Sequence, residues 1–240
     1  MKRCSVFLAL ALTLLLASSA QAESITINSV VGSWLNAVPA GNATIVNADP
    51  TSTISWGTIG APQSGYVFTG QDPVGPIAIN PPPITSFFDI GDFTHVNKPI
   101  TSGTSITSTQ LSLAIGMSVN GNVVNKNFLF GFTHEETPNV SGDCDYGQPG
   151  DPPCPDRVVV SPPLAGQFQV GNVLYTLEVR FSTDQGATTK NEFVTQENAN
   201  NLADLYARFN SEIQPVPEPG TLLLLGSGLL GLVALRRRMK

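Results

Sequence analysis

The sequence predicts an all-β fold, a jelly-roll-like β-sandwich carrying one short helix, and three observations support it. Leu111, Leu113, Ile115, Met117 and Val119 alternate with small or polar residues, the period of a strand with one buried face. Asn120-Gly121 follows at once, a dipeptide suited to the left-handed backbone of a two-residue hairpin turn. At least eight short apolar runs are separated by Pro, Gly and Asn, the pattern of strands joined by turns. With 22 Gly and 19 Pro among 240 residues and only 12% charged residues, breakers are plentiful and long helices are not expected.

Taken in order, Ser24–Val30 alternates as a first strand, and Trp34, Ala43–Val46, Ile54–Gly57 and Tyr66–Thr69 mark further short ones. Pro73, Pro76 and Pro81 to Pro83 make a stiff extended connection that cannot be a central strand, because proline donates nothing to a ladder. Phe87–His95 comes next and holds the most distinctive local motif, and Ser105–Val119 pairs with Val123–Phe132 across the Asn120-Gly121 turn. Thr133–Pro155 is a long polar loop; Arg157–Val160 resumes a strand that Pro162-Pro163 ends. Phe168–Val170 and Leu174–Phe181 form a hairpin turning at Gly171-Asn172, and Glu192–Thr195 is another strand. Leu202, Leu205, Tyr206 and Phe209 fall at i, i+3, i+4 and i+7, which predicts a short amphipathic helix, with a final strand as the alternative. The expected core is Trp56, Phe87, Phe93, Leu111, Leu113, Ile115, Phe128, Phe130, Leu174 and Leu177.

The two ends read differently from the middle. Met1-Lys2-Arg3, a mostly apolar run from Cys4 to Leu16 and the small-x-small site Ala20-Gln21-Ala22 have the layout of a signal peptide cut after Ala22. At the other end, Val216-Pro217-Glu218-Pro219-Gly220 precedes 15 uncharged residues, Thr221 to Leu235, and then Arg236-Arg237-Arg238-Met239-Lys240. As a helix the run would reach about 22 Å, short of a hydrocarbon core of roughly 30 Å, so it spans only with snorkelling arginines or local thinning. The basic cluster places that end on the cytoplasmic side. The expected organisation is a signal peptide over 1–22, a sandwich over 23–213, a Pro-rich linker over 214–220, a transmembrane helix over 221–235 and a basic tail over 236–240.

Pro217-Glu218-Pro219, the short Leu/Gly-rich run and the closing arginines resemble the tripartite PEP-CTERM sorting signal. That resemblance implies recognition and cleavage by an exosortase, passage through an inner-membrane intermediate, and a final place at the cell surface or in an exopolysaccharide or biofilm matrix. An uncut stop-transfer helix is the alternative; a lipid-anchor signal fits poorly because its tail ends apolar. Within the domain, Gly91-Asp92-Phe93-Thr94-His95-Val96-Asn97 resembles the motif of the THxN group of PEP-CTERM proteins, related to choice-of-anchor extracellular domains, with Thr94, His95 and Asn97 at the naming positions. That likeness implies a compartment and no reaction.

All 18 acidic residues but only six of the 12 basic ones lie between positions 23 and 218, a net charge of −12 that argues against a nucleic-acid partner. Cys144 and Cys154, the pair left after signal removal, read as a disulfide in an oxidising compartment. Asp143, Asp145, Asp151 and Asp156 bracket that pair, and hard oxygen donors on a stapled loop suit Ca²⁺; a solvated acidic loop is the plainer account. The only two histidines, His95 and His134, both end a Phe-Thr-His tripeptide. With Glu135 or Glu136 they would offer mixed nitrogen and oxygen ligands to a metal, or else simply cap two similar strand ends. No nucleophile elbow, zincin motif or phosphate-binding glycine loop is present in the sequence, so the expectation is a non-enzymatic structural or adhesive protein. The alternative is a carbohydrate-binding module, in part Ca²⁺-dependent, using exposed aromatics such as Trp34, Tyr66 and Tyr146; a glycan-active enzyme with paired carboxylates is the more distant one.

Overall fold

A computed structural model describes residues 23–71, 74–79, 85–139, 144–146, 153–215 and 236–238. The signal-peptide stretch, the hinge from Val216, the apolar run and two loop acids, Asp143 and Asp151, lie outside the described residues. Among the described residues no helix is long and apolar enough to cross a membrane.

Among the described residues, thirteen strands form two antiparallel sheets. In chain order they are β1 (Glu23–Val38), β2 (Ala43–Val46), β3 (Thr51–Trp56), β4 (Ser64–Gly70), β5 (Val74–Ile79), β6 (Phe88–Asn97), β7 (Ser108–Val119), β8 (Asn122–Glu135), β9 (Asp156–Ala165), β10 (Phe168–Val170), β11 (Val173–Ser182), β12 (Glu192–Thr195) and β13 (Ala199–Ile213). One sheet runs β12-β9-β8-β7-β1-β5 and the other β10-β11-β13-β6-β4-β3-β2. Their inner faces pack into one aromatic-rich core, with Trp34, Trp56, Tyr66, Phe68, Phe93, Phe128, Phe130, Phe132, Phe181 and Phe209 fully buried.

The β7–β8 hairpin forms as the sequence predicts. Val119 pairs with Asn122, Asn120 and Gly121 take φ of 50° and 82°, and the five alternating apolar residues of β7 are buried. The hairpin of β10 and β11 turns at Gly171-Asn172, also as expected.

Four expectations need correction. Residues 202–209 are not a helix but the middle of β13, a central strand paired with β11 and β6. Ala203, Leu205, Ala207 and Phe209 point inward at period two; the alanines filled half of that stripe, so the larger apolar residues alone mimicked a helical period. Pro162-Pro163 does not end β9, which continues to Ala165 through register shifts against β8. The Pro73–Pro83 stretch contains a strand, β5, but at the sheet edge beside β1, where Pro76 is tolerated. Phe87 and Leu174 are only half-buried. The inward residues of β11 are Val173, Tyr175, Leu177 and Val179, one step out of phase with Leu174.

Candidate functional site

Strand alternation decides which side chains meet. Along β6, Phe93, His95 and Asn97 point inward while Asp92 and Thr94 face outward. Along β8, Phe128, Phe130, Phe132 and His134 point inward, and Thr133 and Glu135 do not. Because β6 and β8 belong to opposite sheets, the two Phe-Thr-His tripeptides confront each other across the core. Phe93 and Phe132 stack with centroids 5.9 Å apart and planes at 21°. His95 and His134 meet edge to face at 5.3 Å.

The end of the sandwich where β3, β6, β8 and β12 finish and β9 starts gathers the remaining polar groups. Trp56, the last residue of β3, lies with its ring 4.9 Å from that of His134 and 5.8 Å from that of His95. The Tyr66 hydroxyl of β4 is 2.7 Å from His134 Nδ1. His95 Nδ1 is 2.8 Å from the Thr195 hydroxyl at the end of β12, and that hydroxyl donates onward to the Asp156 carbonyl at 3.4 Å. With that hydroxyl proton given to the Asp156 carbonyl, Thr195 would accept from His95 Nδ1–H; His95 Nε2 has no hydrogen-bond partner. Asp156 Oδ1 accepts from the Thr137 amide at 2.7 Å and from its hydroxyl at 3.2 Å. His134 Nε2 faces Glu136 Oε2 at 3.2 Å and Asp156 Oδ2 at 3.9 Å. Glu197, in the turn between β12 and β13, is buried nearby.

Burial dominates the electrostatics. It pushes the Asp156 carboxyl up to about 6, with the neighbouring Glu136 charge adding to the rise and the Thr137 amide opposing it. Burial likewise raises Glu197 to about 7, helped by the charges of Asp156 and Glu136. His95 is held well below the usual imidazole range by burial, then by His134, and Tyr66 is raised by burial and by the charges of Asp156 and Glu136. Among the described residues no Lys or Arg forms an ion pair with Asp156, Glu136 or Glu197.

Five buried side-chain atoms among the described residues lack a hydrogen-bond partner: Trp56 Nε1, His95 Nε2, Asn97 Oδ1, Glu136 Oε1 and Asp156 Oδ2. All five belong to this one cluster. Native interiors leave few such groups, so their concentration here marks the cluster as different from ordinary core.

Of the residues singled out in the sequence, the structure brings together His95, His134 and Asp156, whose ligand-capable atoms lie within 4.8 Å of one another. A second overlapping set is Glu136, Asp156 and Glu197. Asp145 is exposed and belongs to neither set. Glu135 turns outward into a pair with Arg157 at 2.8 Å and a hydrogen bond from the Tyr146 hydroxyl. Cys144 and Cys154 form a disulfide. Trp34 and Tyr66, expected as exposed aromatics, are fully buried; the Trp34 indole donates to the Ser52 carbonyl at 3.2 Å inside the core. Gly91 sits at a register shift opposite Leu205 and Tyr206, where a Cβ would come within 2.3 Å of the Thr69 carbonyl oxygen.

Sequence reasoning missed Tyr66, Thr137, Thr195 and Glu197 as members of the cluster. One signal was available: Phe93-x-His95-x-Asn97 and Phe130-x-Phe132-x-His134 share the period of a strand's buried face, which puts both histidines inside rather than at strand ends.

The cluster lies within the sandwich, and β13 leaves the fold at Ile213. A family model of the PEP-CTERM protein-sorting motif matches residues 215–238. The chain carries a PEP-CTERM sorting signal. The match begins two residues beyond the last residue of β13, so the PEP-CTERM signal is attached almost directly to a central strand. It marks an exported protein sorted by exosortase, with membrane-associated export to the cell surface. No curated protein matches the chain.

Proposed function

We propose that this PEP-CTERM protein is a non-enzymatic, exported β-sandwich that serves as a structural or adhesive component of the cell surface or its exopolysaccharide matrix. A signal peptide over 1–22 delivers it, the 221–235 segment holds it in the inner membrane, and exosortase cuts near Pro217-Glu218-Pro219. The observation that carries the reading is the junction between fold and signal: strand order persists to Ile213 and the sorting motif starts at residue 215. A folded body thus ends where the processing signal begins.

The interior supports a passive body over the rival activities. Two of the three aromatics that a sugar-binding face would use, Trp34 and Tyr66, are 0% exposed. Within the histidine cluster, Asp156 is fully buried and tied to Thr137, unlike a carboxylate that flanks a sugar-sized groove. The Gly91–Asn97 likeness to the THxN group agrees with a compartment of this kind and adds no chemistry.

Intact mass of the mature protein recovered from the native host tests this. The expected product starts at Glu23 and lacks Arg236 to Lys240. A mass that includes Lys240 would overturn the processing step. Saturable hydrolysis of an exopolysaccharide by the purified protein would overturn the non-enzymatic assignment.

A further inference from the structure

We propose that His95, His134 and Asp156, joined by Glu136, form a closed binding site for one transition-metal dication of the zinc type, which staples the two sheets of the sandwich together. The inference goes beyond the surface role and does not depend on it.

The donor set points to the ion class. Two imidazole nitrogens with carboxylate oxygens suit Zn²⁺ and its neighbours in the first row, whereas Ca²⁺ and Mg²⁺ take oxygen alone. The nitrogens are prepared for it. His95 holds Nδ1 2.8 Å from the Thr195 hydroxyl and presents an unpartnered Nε2 to the interior. His134 holds Nδ1 against the Tyr66 hydroxyl and turns Nε2 to Asp156 and Glu136. An outer partner on one ring nitrogen orients the other toward a metal. Asp156 divides its labour in the same way: Oδ1 is fixed by Thr137, and Oδ2, fully buried, has no hydrogen-bond partner and faces His134 Nε2 at 3.9 Å. Glu136 accepts from the Ser105 hydroxyl through Oε2 at 3.2 Å, while Oε1 is unpartnered. The unpartnered atoms of His95 (β6) and Asp156 (β9) belong to one set with His134 (β8), and Glu136, just past the end of β8, adjoins that set beside His134 and Asp156.

The geometry is close to that of a loaded site. The ligand atoms of His95, His134 and Asp156 lie within 4.8 Å of one another, and Glu136 Oε2 is 3.2 Å from His134 Nε2. Tetrahedral zinc with bonds near 2.1 Å separates its ligands by about 3.4 Å, so the His95, His134 and Asp156 atoms must close in by at most about 1.4 Å, and a rotamer change of Glu136 would bring in the fourth ligand. Four protein ligands with no open position describe a structural site rather than a catalytic one. The cluster borders the surface at Glu136, which with Thr137, Ile100, Ser102, Ser105 and Pro138 lines a cleft of about 530 Å³. Since His95 comes from β6 and His134 from β8, the ion would cross-link opposite sheets.

The test uses the full chain, purified without a polyhistidine tag, stripped with a chelator and titrated with Zn²⁺ and separately with Co²⁺. Expected are one Zn²⁺ per chain by elemental analysis, a higher Tm, intense visible bands of four-coordinate Co²⁺, and quenching of tryptophan fluorescence by Co²⁺ through Trp56. His95→Gln and Asp156→Asn should each weaken Zn²⁺ binding by more than about 100-fold, whereas Asp145→Asn on the acidic loop should leave it unchanged. Absence of Zn²⁺ and Co²⁺ binding by the folded wild-type chain would overturn the proposal, whatever the variants do. So would binding that survives His95→Gln or is lost in Asp145→Asn, and so would the weak bands of six-coordinate Co²⁺.

Discussion

His95 and His134 meet at 87°, edge to face, with ring centroids 5.3 Å apart, and each ends the same tripeptide on opposite sheets of one sandwich. One step deeper, Phe93 and Phe132 repeat the encounter as a stacked pair. The repeat thus has a physical meaning: an aromatic and an imidazole two residues apart on one strand face supply a greasy layer and a polar layer to the same core.

The aromatic layer should carry much of the stability. Phe132 touches Trp34, Phe93 and Phe181 and is 1% exposed. Phe132→Ala is expected to cost about 3–5 kcal/mol, read as a lower urea midpoint with an unchanged slope. Phe87→Ala, at a half-buried ring lying under Arg180 and Arg208, should cost less than about 1.5 kcal/mol by the same measurement.

Gly91 holds the motif's entry by close approach. Gly91→Ala would drive a methyl group against the Thr69 carbonyl oxygen and the Phe68 ring. A loss of about 2 kcal/mol or more in thermal or urea unfolding is expected. Gly121→Ala, where nothing lies within 4 Å of the added carbon but φ is 82°, should cost only about 1 kcal/mol, from backbone strain alone.

These two cases show how legibility divided between levels. The β7–β8 hairpin was readable because alternation and turn chemistry are both local. The strand at 199–213 was misread as a helix because Ala203 and Ala207, small but inward-facing, carry little hydrophobic signal. The site was half readable: two histidines in matching tripeptides drew attention, and Asp156 was noticed for its neighbours in sequence. What joins them is sheet order. Thr195 lies 100 residues from His95 and Tyr66 lies 68 from His134, and no spacing in a chain encodes which strand ends share one rim. Glu136, not Glu135, faces the cluster because β8 stops at Glu135 and strand alternation no longer governs the next residue.

Away from the cluster, Glu178 gives a clean acid response. Burial works against its ionisation, but Arg208 and Arg180, each 2.7 Å away, outweigh it and hold the carboxyl below its usual 4.5. A depressed folded-state value means the stabilisation is present above about pH 4.5 and is lost as pH falls through the lower folded value. Wild type should therefore lose up to about 1 kcal/mol more than Glu178→Gln between pH 6 and pH 3, measured as the difference in urea midpoints.

The imidazole tautomers can be probed without touching a ligand. Thr195→Val keeps the volume near His95 but removes the hydroxyl that anchors its Nδ1. Zn²⁺ affinity should fall by about 10- to 100-fold. Near-UV circular dichroism should remain that of wild type, because His95 stays packed between Trp56 and Tyr66.

The seat of β13 has a consequence for how the molecule is assembled. Lying between β11 and β6, it is the last strand before the sorting signal and yet an inner stave, so until it arrives two naked backbone edges face each other across a gap. Such edges invite pairing with any passing extended chain, and closing them joins partners far apart in sequence, a slow step. A tether that keeps residues 199–213 close by while the gap shuts would give each copy time to fill its own slot before it drifts among neighbours with the same vacancy.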